Sequence, residues 1–254
     1  MDEFLKTIIK EGGKLAKEYF EAGVSHRTKT NLSDLVTDAD VAVSNFLVSS
    51  IHERYPDHHI HTEESKEDIN PGAEYEWVID PIDGTRNFAA GISMWCVMMA
   101  VMKRGEIYLA AIYDPLADEL FFAESGKGTT MNDTPVRVNS VESLDYGFGC
   151  CTRGDNTTHE IEFDRMMVRL VNETTTWLHN YGTMLPCAYV ANGGMDFYAG
   201  NCGFDHDYLA PALLCREAGA LVTDSAGNPW TRYRRDFVIA NPKLHPKVLA
   251  LLRT

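Results

Sequence analysis

Apolar residues in the first turns of the chain, Phe4, Ile8, Ile9, Leu15, Ala16 and Phe20, fall near helical spacing, and Gly23 follows as a stop. The pattern predicts a helix from Asp2 to about Glu21. Next, "SDLVTDAD" offers Ser33 or Asp34 as a cap, leading into "VAVSNFLVSSIHERYP", where Val41, Phe46, Leu47 and Ile51 suit a second helix that Pro56 ends. "HHIHTEES" is short and extended, and "EWVIDPIDGT" predicts a buried strand followed by a turn. From Ser93 to Gly128, apolar runs alternate with turn signals at "KRGE", "DPLADE" and "SGKG", the pattern of a β-meander of three or more strands.

The second half mixes periods. "IEFDRMMVRLVNET" and "GTMLPCAYVANGG" read as helices, "MDFYAG" as a strand, and "DYLAPALLCREAG" as a helix closing at Gly219. "ALVTDSAGNPW" and "FVIAN" read as strands and "HPKVLALLRT" as a last helix. Sheets and helices in this order predict a layered α+β sandwich. With 254 residues and no Ser/Gly-rich or Pro-rich linker, repeat or low-complexity tract, two halves, 1–140 and 141–254, are expected to form one unit.

Charge narrows the partners. A net charge of −14, from 37 acidic and 23 basic residues, opposes a nucleic-acid or anionic-membrane surface, because both need clustered Lys and Arg. A phosphate ester as ligand would then need neutralising by cations held on carboxylates. The longest apolar run, "ISMWCVMMAVM", is about half the length that spans a bilayer. The six cysteines show no CxxC or framework spacing, and "MDEFLKTIIKEGG" reads as a helix start. A reduced, cytoplasmic protein is expected.

Four acidic clusters sit at predicted element boundaries: Asp38 and Asp40 in "TDAD", Glu63 and Glu64 in "TEES", Asp80 and Asp83 in "DPIDGT", and Asp205 and Asp207 in "FDHDYLAPALL". Singly, each reads as a helix cap or a solvated charge run. Together they suit Mg²⁺, which takes oxygen ligands from a few carboxylates, water and substrate phosphate. Soft-metal chemistry has little support: the nine histidines form no HExxH or Cys/His set, and His58, His59 and His61 lack ligand spacing. In "DPIDGT", Pro81 stiffens the turn and Gly84 permits close backbone approach. A helix starting at Gly84–Thr85 would offer free N–H groups to a phosphate. The chemistry this suggests is two-metal hydrolysis, with cations about 4 Å apart clamping the attacking and leaving oxygens.

"DPIDGTRNF" preceded by "TEES", with "SDLVTDAD" upstream and "HDYLAPALLCREAGA" downstream, resembles the inositol monophosphatase family of Mg²⁺-dependent, lithium-sensitive sugar phosphatases, over nearly the whole chain. The resemblance implies the αβαβα sandwich shared with fructose-1,6-bisphosphatases, a homodimer, and a small phosphorylated polyol or sugar as substrate. It implies that Glu63, Asp80 and the Ile82 carbonyl hold a first metal, that Asp80 bridges to a second completed by Asp83 and Asp207, and that Glu64 serves a weaker third. Two or three Mg²⁺ per site are thus expected, with Mn²⁺ as a substitute. It further implies that Glu63, and Thr85 held by Asp40, activate the attacking water, that the Gly84 and Thr85 backbones hold the phosphate, and that Lys29 matches a basic loop residue.

Three positions depart from the family pattern. Thr62 stands where Gly precedes the two glutamates, His206 where Trp precedes the last metal aspartate, and Gly200 where inositol-specific members carry a substrate-binding glutamate. Asn201, Asp205, His206 and Asp83 are the residues left to contact the leaving group. A cationic substrate such as histidinol phosphate would suit Asp205; a bisphosphate would need Arg153, Arg232, Arg234 or Arg235, which otherwise read as solvated turns. Nucleotide 3′-phosphatases share the fold family, and a non-catalytic metal or phosphate sensor is the alternative of a different class.

Overall fold

The computed structural model describes residues 1–23, 26–28, 35–152, 161–201 and 203–252. Lys29, Ser33, Asp34 and Arg153, named above, lie outside them. In chain order the first half runs α1 (Asp2–Ala22), β1 (His26–Thr28), β2 (Leu35–Thr37), α2 (Asp38–Arg54), β3 (His59–Thr62), β4 (Tyr75–Asp83), α3 (Thr85–Ala89), then the meander β5 (Cys96–Lys103), β6 (Glu106–Asp114), β7 (Glu119–Glu124), β8 (Gly128–Met131) and β9 (Thr134–Val136). The second half runs β10 (Phe148–Thr152), α4 (Ile161–Glu173), β11 (Trp177–His179), α5 (Leu185–Ala191), β12 (Phe197–Asn201), α6 (Asp205–Glu217), β13 (Leu221–Thr223), β14 (Asp236–Ala240) and α7 (His245–Leu252).

Alternation along the strands sorts the core. Strands β3 to β9 form a seven-stranded sheet in chain order, and β11-β10-β12-β14-β13 a five-stranded one. On β5, Val97, Met99 and Val101 join Leu5, Ile9, Val43 and Leu47 of α1 and α2, whereas Cys96, Met98 and Ala100 join α5 and α6 residues on the other face. On β12 and β14, Tyr198 and Ile239 face that same central core, while Phe197, Ala199, Val238 and Ala240 pack against Phe163, Met166 and Leu170 of α4 and Val248 and Leu252 of α7. Three helical layers therefore alternate with two sheets, the αβαβα order expected, because side chains of period two bury both faces of each sheet.

Four local features differ from the sequence expectation. The α2 cap is Thr37, not Ser33 or Asp34: Thr37 accepts from the Asp40 amide while Asp40 accepts from the Thr37 amide, a reciprocal capping box. Strand β4 continues through Pro81 and Ile82 to Asp83, so the turn begins only at Gly84. Strand β13 ends at Thr223, because Asp224 folds the chain back by accepting from the Asn228 amide at 2.8 Å. Strands β10 and β11 were not legible: "FGCCT" has no alternation, and Gly149 is required because a Cβ there would lie 2.1 Å from the Phe197 ring.

Five cysteines, Cys96, Cys150, Cys151, Cys187 and Cys215, are free and buried as small apolar groups. No helix among the described residues is long and apolar enough to cross a membrane.

Helix α1 lies close on β6 at Gly13, where a Cβ would stand 2.4 Å from the Tyr113 ring and 2.9 Å from Pro115. The ring cannot swing aside freely, since its hydroxyl donates to Asp118 at 2.9 Å. Gly13→Val overpacks this contact and is expected to cost at least about 2 kcal/mol, a fall in Tm of roughly 4–8 °C. An unchanged Tm in a thermal melt contradicts the close packing.

Candidate active site

A regular strand would place Asp80 and Asp83, three residues apart, on opposite faces. Strand β4 avoids this with a bulge: Asp80 pairs with Met98 and Asp83 with Cys96, so three steps on β4 match two on β5. Ile79 and Ile82 stay on the α1/α2 side, and both carboxylates turn to the central layer, where the N-terminus of α6 brings Asp207. One oxygen each from Asp80, Asp83 and Asp207 lie within 4.8 Å of one another. Glu63, just past β3, is fixed by donation of its amide to Ile79 O at 3.2 Å; one of its oxygens, one of Asp80 and a ring nitrogen of His206 form a second such group.

The two strand acids are almost fully buried, Asp80 at 2% exposure and Asp83 at 6%. Burial is the largest influence on Asp80, and the charges of Glu63, Asp83 and Asp207 push its carboxyl further above the usual range. Burial also raises Asp83, to about 7, against the pull of hydrogen bonds from Thr183, Met184 and Cys96. Asp207 is raised by burial, partly offset by His206. All three donors to Asp83, the Thr183 hydroxyl, the Met184 amide at 2.6 Å and the Cys96 thiol at 3.3 Å, reach Oδ2, which leaves Oδ1 for a ligand. Asp80 Oδ1 is buried with no hydrogen-bond partner. A buried, unpartnered carboxylate oxygen among like charges fits a cation, since without one it costs free energy as an unsatisfied polar group. The donor set, all oxygen around Asp80, Asp83 and Asp207, suits a hard divalent ion.

Thr85 opens α3 beside this cluster. Its hydroxyl lies 3.3 Å from Asp40 Oδ1 and 3.0 Å from the Ile82 carbonyl, while Asp40 Oδ2 accepts from the Thr37 amide and hydroxyl. Gly84 before it has φ +91°, a left-handed conformation that a side chain resists, and a Cβ would stand 3.1 Å from Met94 O and 3.2 Å from Thr183 Cβ. Next to Glu63 and His206 opens a cavity of about 440 Å³, also walled by His61, Phe204, Asp205 and Arg235.

The family model "Inositol monophosphatase family" matches residues 1–254. The chain belongs to the inositol monophosphatase family. It is 32% identical over 249 residues to "Nus factor SuhB" of Escherichia coli K12, covering 96% of this chain and 92% of that one. It is 27% identical over 251 residues to "Fructose-1,6-bisphosphatase/inositol-1-monophosphatase" of Thermotoga maritima, covering 98% and 94%. Among solved structures, the extragenic suppressor protein suhB of Bartonella henselae superposes with a TM-score of 0.93 at 26% identity, covering 99% of this chain and 98% of that one.

Against the inositol monophosphatase pattern, the departures at Thr62 and Gly200 each have a local account. Thr62 is buried, its hydroxyl 3.0 Å from that of Ser44, which satisfies the group that replaces glycine. At Gly200 a Cβ would lie 2.7 Å from the Tyr198 hydroxyl, which bonds Met184 Sδ at 3.1 Å, so a glutamate has no room there. Asn201 is buried at the end of β12 and is not among the cavity-lining residues. Asp205 lines the cavity, but its Oδ2 holds Arg232 Nε at 2.5 Å, and Arg232 grips both Glu76 oxygens at 2.7 Å. Burial raises the Glu76 carboxyl, but the Arg232 bonds outweigh it and hold it below its usual range. Arg232 is thus a clamp between β4 and the start of α6, a role missed in the sequence because its two partners are 27 and 156 residues away.

Arg234 pairs with Asp224 at 2.6 Å and lies 3.7 Å from Asp236. Arg232, 21% exposed, is not the solvated turn residue the sequence suggested, whereas Arg234 stays half exposed despite its pairing. Glu64 belongs to neither ligand group.

Raised carboxyls make the metal-free protein lose stability as pH rises. Between about pH 4, where unfolded carboxyls ionise, and about 7 for Asp83, the folded chain holds more protons than the unfolded one, so stability present at low pH is lost through that window. The Tm of EDTA-treated protein is expected to fall from pH 5 to 8 from this source. Asp80→Asn should raise the metal-free Tm at pH 8 and flatten the slope. A flat metal-free profile shared by wild type and variant contradicts the charge repulsion.

Proposed function

We propose that this protein is a metal-dependent phosphomonoesterase acting on a small polyol or sugar phosphate. The observation that carries the proposal is the placing of Thr85, bonded to Asp40, beside carboxylates gathered for cations: a protein that only binds metal or phosphate has no need of that pair. Asp80, Asp83, Asp207, Glu63 and the Ile82 carbonyl would hold the cations, with Mg²⁺ suiting the all-oxygen group of Asp80, Asp83 and Asp207. When bound, such cations neutralise phosphate charge and lower the pKa of an attacking water.

The chain's own groups do the rest. With the Ile82 carbonyl taken up by a cation, the Thr85 hydroxyl would turn its proton to Asp40 and accept one hydrogen bond from the water, which Glu63 would orient from the β3 side. Asp40, held by the Thr37 amide and hydroxyl, keeps the Thr85 hydroxyl in one rotamer. The Gly84 and Thr85 amides, at the first turn of α3, lack intrahelical partners by helix geometry and suit the ester phosphate.

The cavity beside Glu63 is the place for the leaving group. Asp205, spoken for by Arg232, offers a cationic substrate little, which disfavours histidinol phosphate. Arg235 lines the wall with its guanidinium 4.0 Å over the Phe204 ring, and makes no ion pair among the described residues. That cation on the cavity wall supports a second reading within the same class, a sugar bisphosphate, in line with the name of the Thermotoga relative.

Phosphate release from inositol 1-phosphate, fructose 1,6-bisphosphate and histidinol phosphate, with Mg²⁺ and with EDTA, tests this. Turnover only with Mg²⁺ is expected, reduced at least about 100-fold by Thr85→Ala, within the span that positioned proton-transfer groups contribute. Arg235→Met should raise KM for the bisphosphate more than for the monophosphate. No release from any ester, with Mg²⁺ binding shown separately, removes catalysis on these substrates and leaves the sensor role.

A further inference from the structure

The second ligand group contains a nitrogen. One ring nitrogen of His206 lies within 4.8 Å of one oxygen each of Glu63 and Asp80, which in turn lie within that distance of each other. Ligands about 2.1 Å from one ion stand about 3 Å apart when adjacent and about 4.2 Å when opposite, so small side-chain adjustments close this group on a shared ion. Asp80 supplies the independent indication of a ligand, because its Oδ1 is buried in a residue 2% exposed and has no partner.

The imidazole is held for the purpose. His206 is the second residue of α6, its side chain 14% exposed. Its ring stacks on Phe204, with centroids 5.5 Å apart and planes at 18°, and on His61, at 6.5 Å and 25°. Phe204, 57% exposed, carries the Arg235 guanidinium over its ring at 4.0 Å. The ring plane is thereby fixed by neighbours other than the proposed ligands. No spacing along the sequence reveals this group, because Glu63, Asp80 and His206 come from three distant segments.

We infer that Glu63, Asp80 and His206 form a mixed nitrogen–oxygen position that takes a borderline divalent ion, of the Co²⁺ or Zn²⁺ type, in preference to Mg²⁺. Imidazole binds such ions better than it binds hard Mg²⁺, and affinity for nitrogen-bearing sites rises along the first transition row. The Asp80–Asp83–Asp207 position, all oxygen, remains the hard-ion position. The inference rests on the metal-centre part of the proposed function, and it makes this chain one whose two positions differ in ion preference.

Co²⁺ and Mg²⁺ are the probes, used on the full chain after EDTA treatment and dialysis. Visible absorption reports Co²⁺ and its ligands, and calorimetry reports Mg²⁺. His206→Phe keeps a stacking ring between Phe204 and His61 and removes both nitrogens. The variant is expected to lose at least about tenfold in affinity for one Co²⁺ and to change its absorption bands, while Mg²⁺ affinity moves less than about twofold. An unchanged Co²⁺ spectrum and affinity overturns the inference, as does an equal loss for both ions, which marks a disturbed site rather than a lost ligand. If neither ion binds the wild-type chain, the metal centre itself is refuted and the inference falls with it.

Discussion

Like charge forced into one buried place is the constraint on which this molecule turns. Asp80 and Asp83 are almost wholly removed from water, with Asp207 and Glu63 close enough to share ions with them. At an effective dielectric constant of about 20, two unit charges about 5 Å apart repel by roughly 3 kcal/mol, and desolvation adds to that. A fold only marginally stable can carry such a cluster if protons or cations relieve it. Protons do so at low pH; at neutral pH divalent cations are the physical remedy, which is the state in which a phosphate ester would be attracted to an otherwise acidic protein.

Several features outside the cluster make sense as means of assembling it. The one-residue bulge in β4 turns Asp83 to the same face as Asp80. Gly84, in a conformation closed to side chains, lets the strand pass directly into α3 and sets Thr85 over Asp40. The Arg232 clamp ties Asp205 at the start of α6 to Glu76 on β4, and so fixes the approach of Asp207 two residues on. The clamp is part-buried and bidentate on Glu76, a geometry that gives an Arg–carboxylate pair direction as well as strength, and it serves the position of one ligand.

Much of this was legible along the chain because it is local. Periodicity located α1, α2, α6, α7 and the meander, and the acidic residues at element ends marked the site before any geometry. What was not legible is what depends on contacts between distant segments. The α2 cap was obscured by competing Ser and Asp residues just upstream of Thr37. Strands β10 and β11 are too short and too uniformly apolar to show a period, and exist because β12 and its Phe197 lie against Gly149. The pairing of Arg232 with Glu76, the closure of the Gly200 position by Tyr198, and the meeting of His206 with Glu63 and Asp80 all join residues whose proximity no spacing rule encodes.

The acids around Asp80 are gathered as a cation site rather than as caps and surface charge. Anomalous diffraction from crystals grown with Mn²⁺ measures this directly. At least two strong peaks bonded to Asp80 are expected, one shared with Asp83 and Asp207 and one on the Glu63 side. A protein that crystallises with Mn²⁺ in excess and shows no peak at Asp80, with all ordered Mn²⁺ on surface carboxylates, would contradict it.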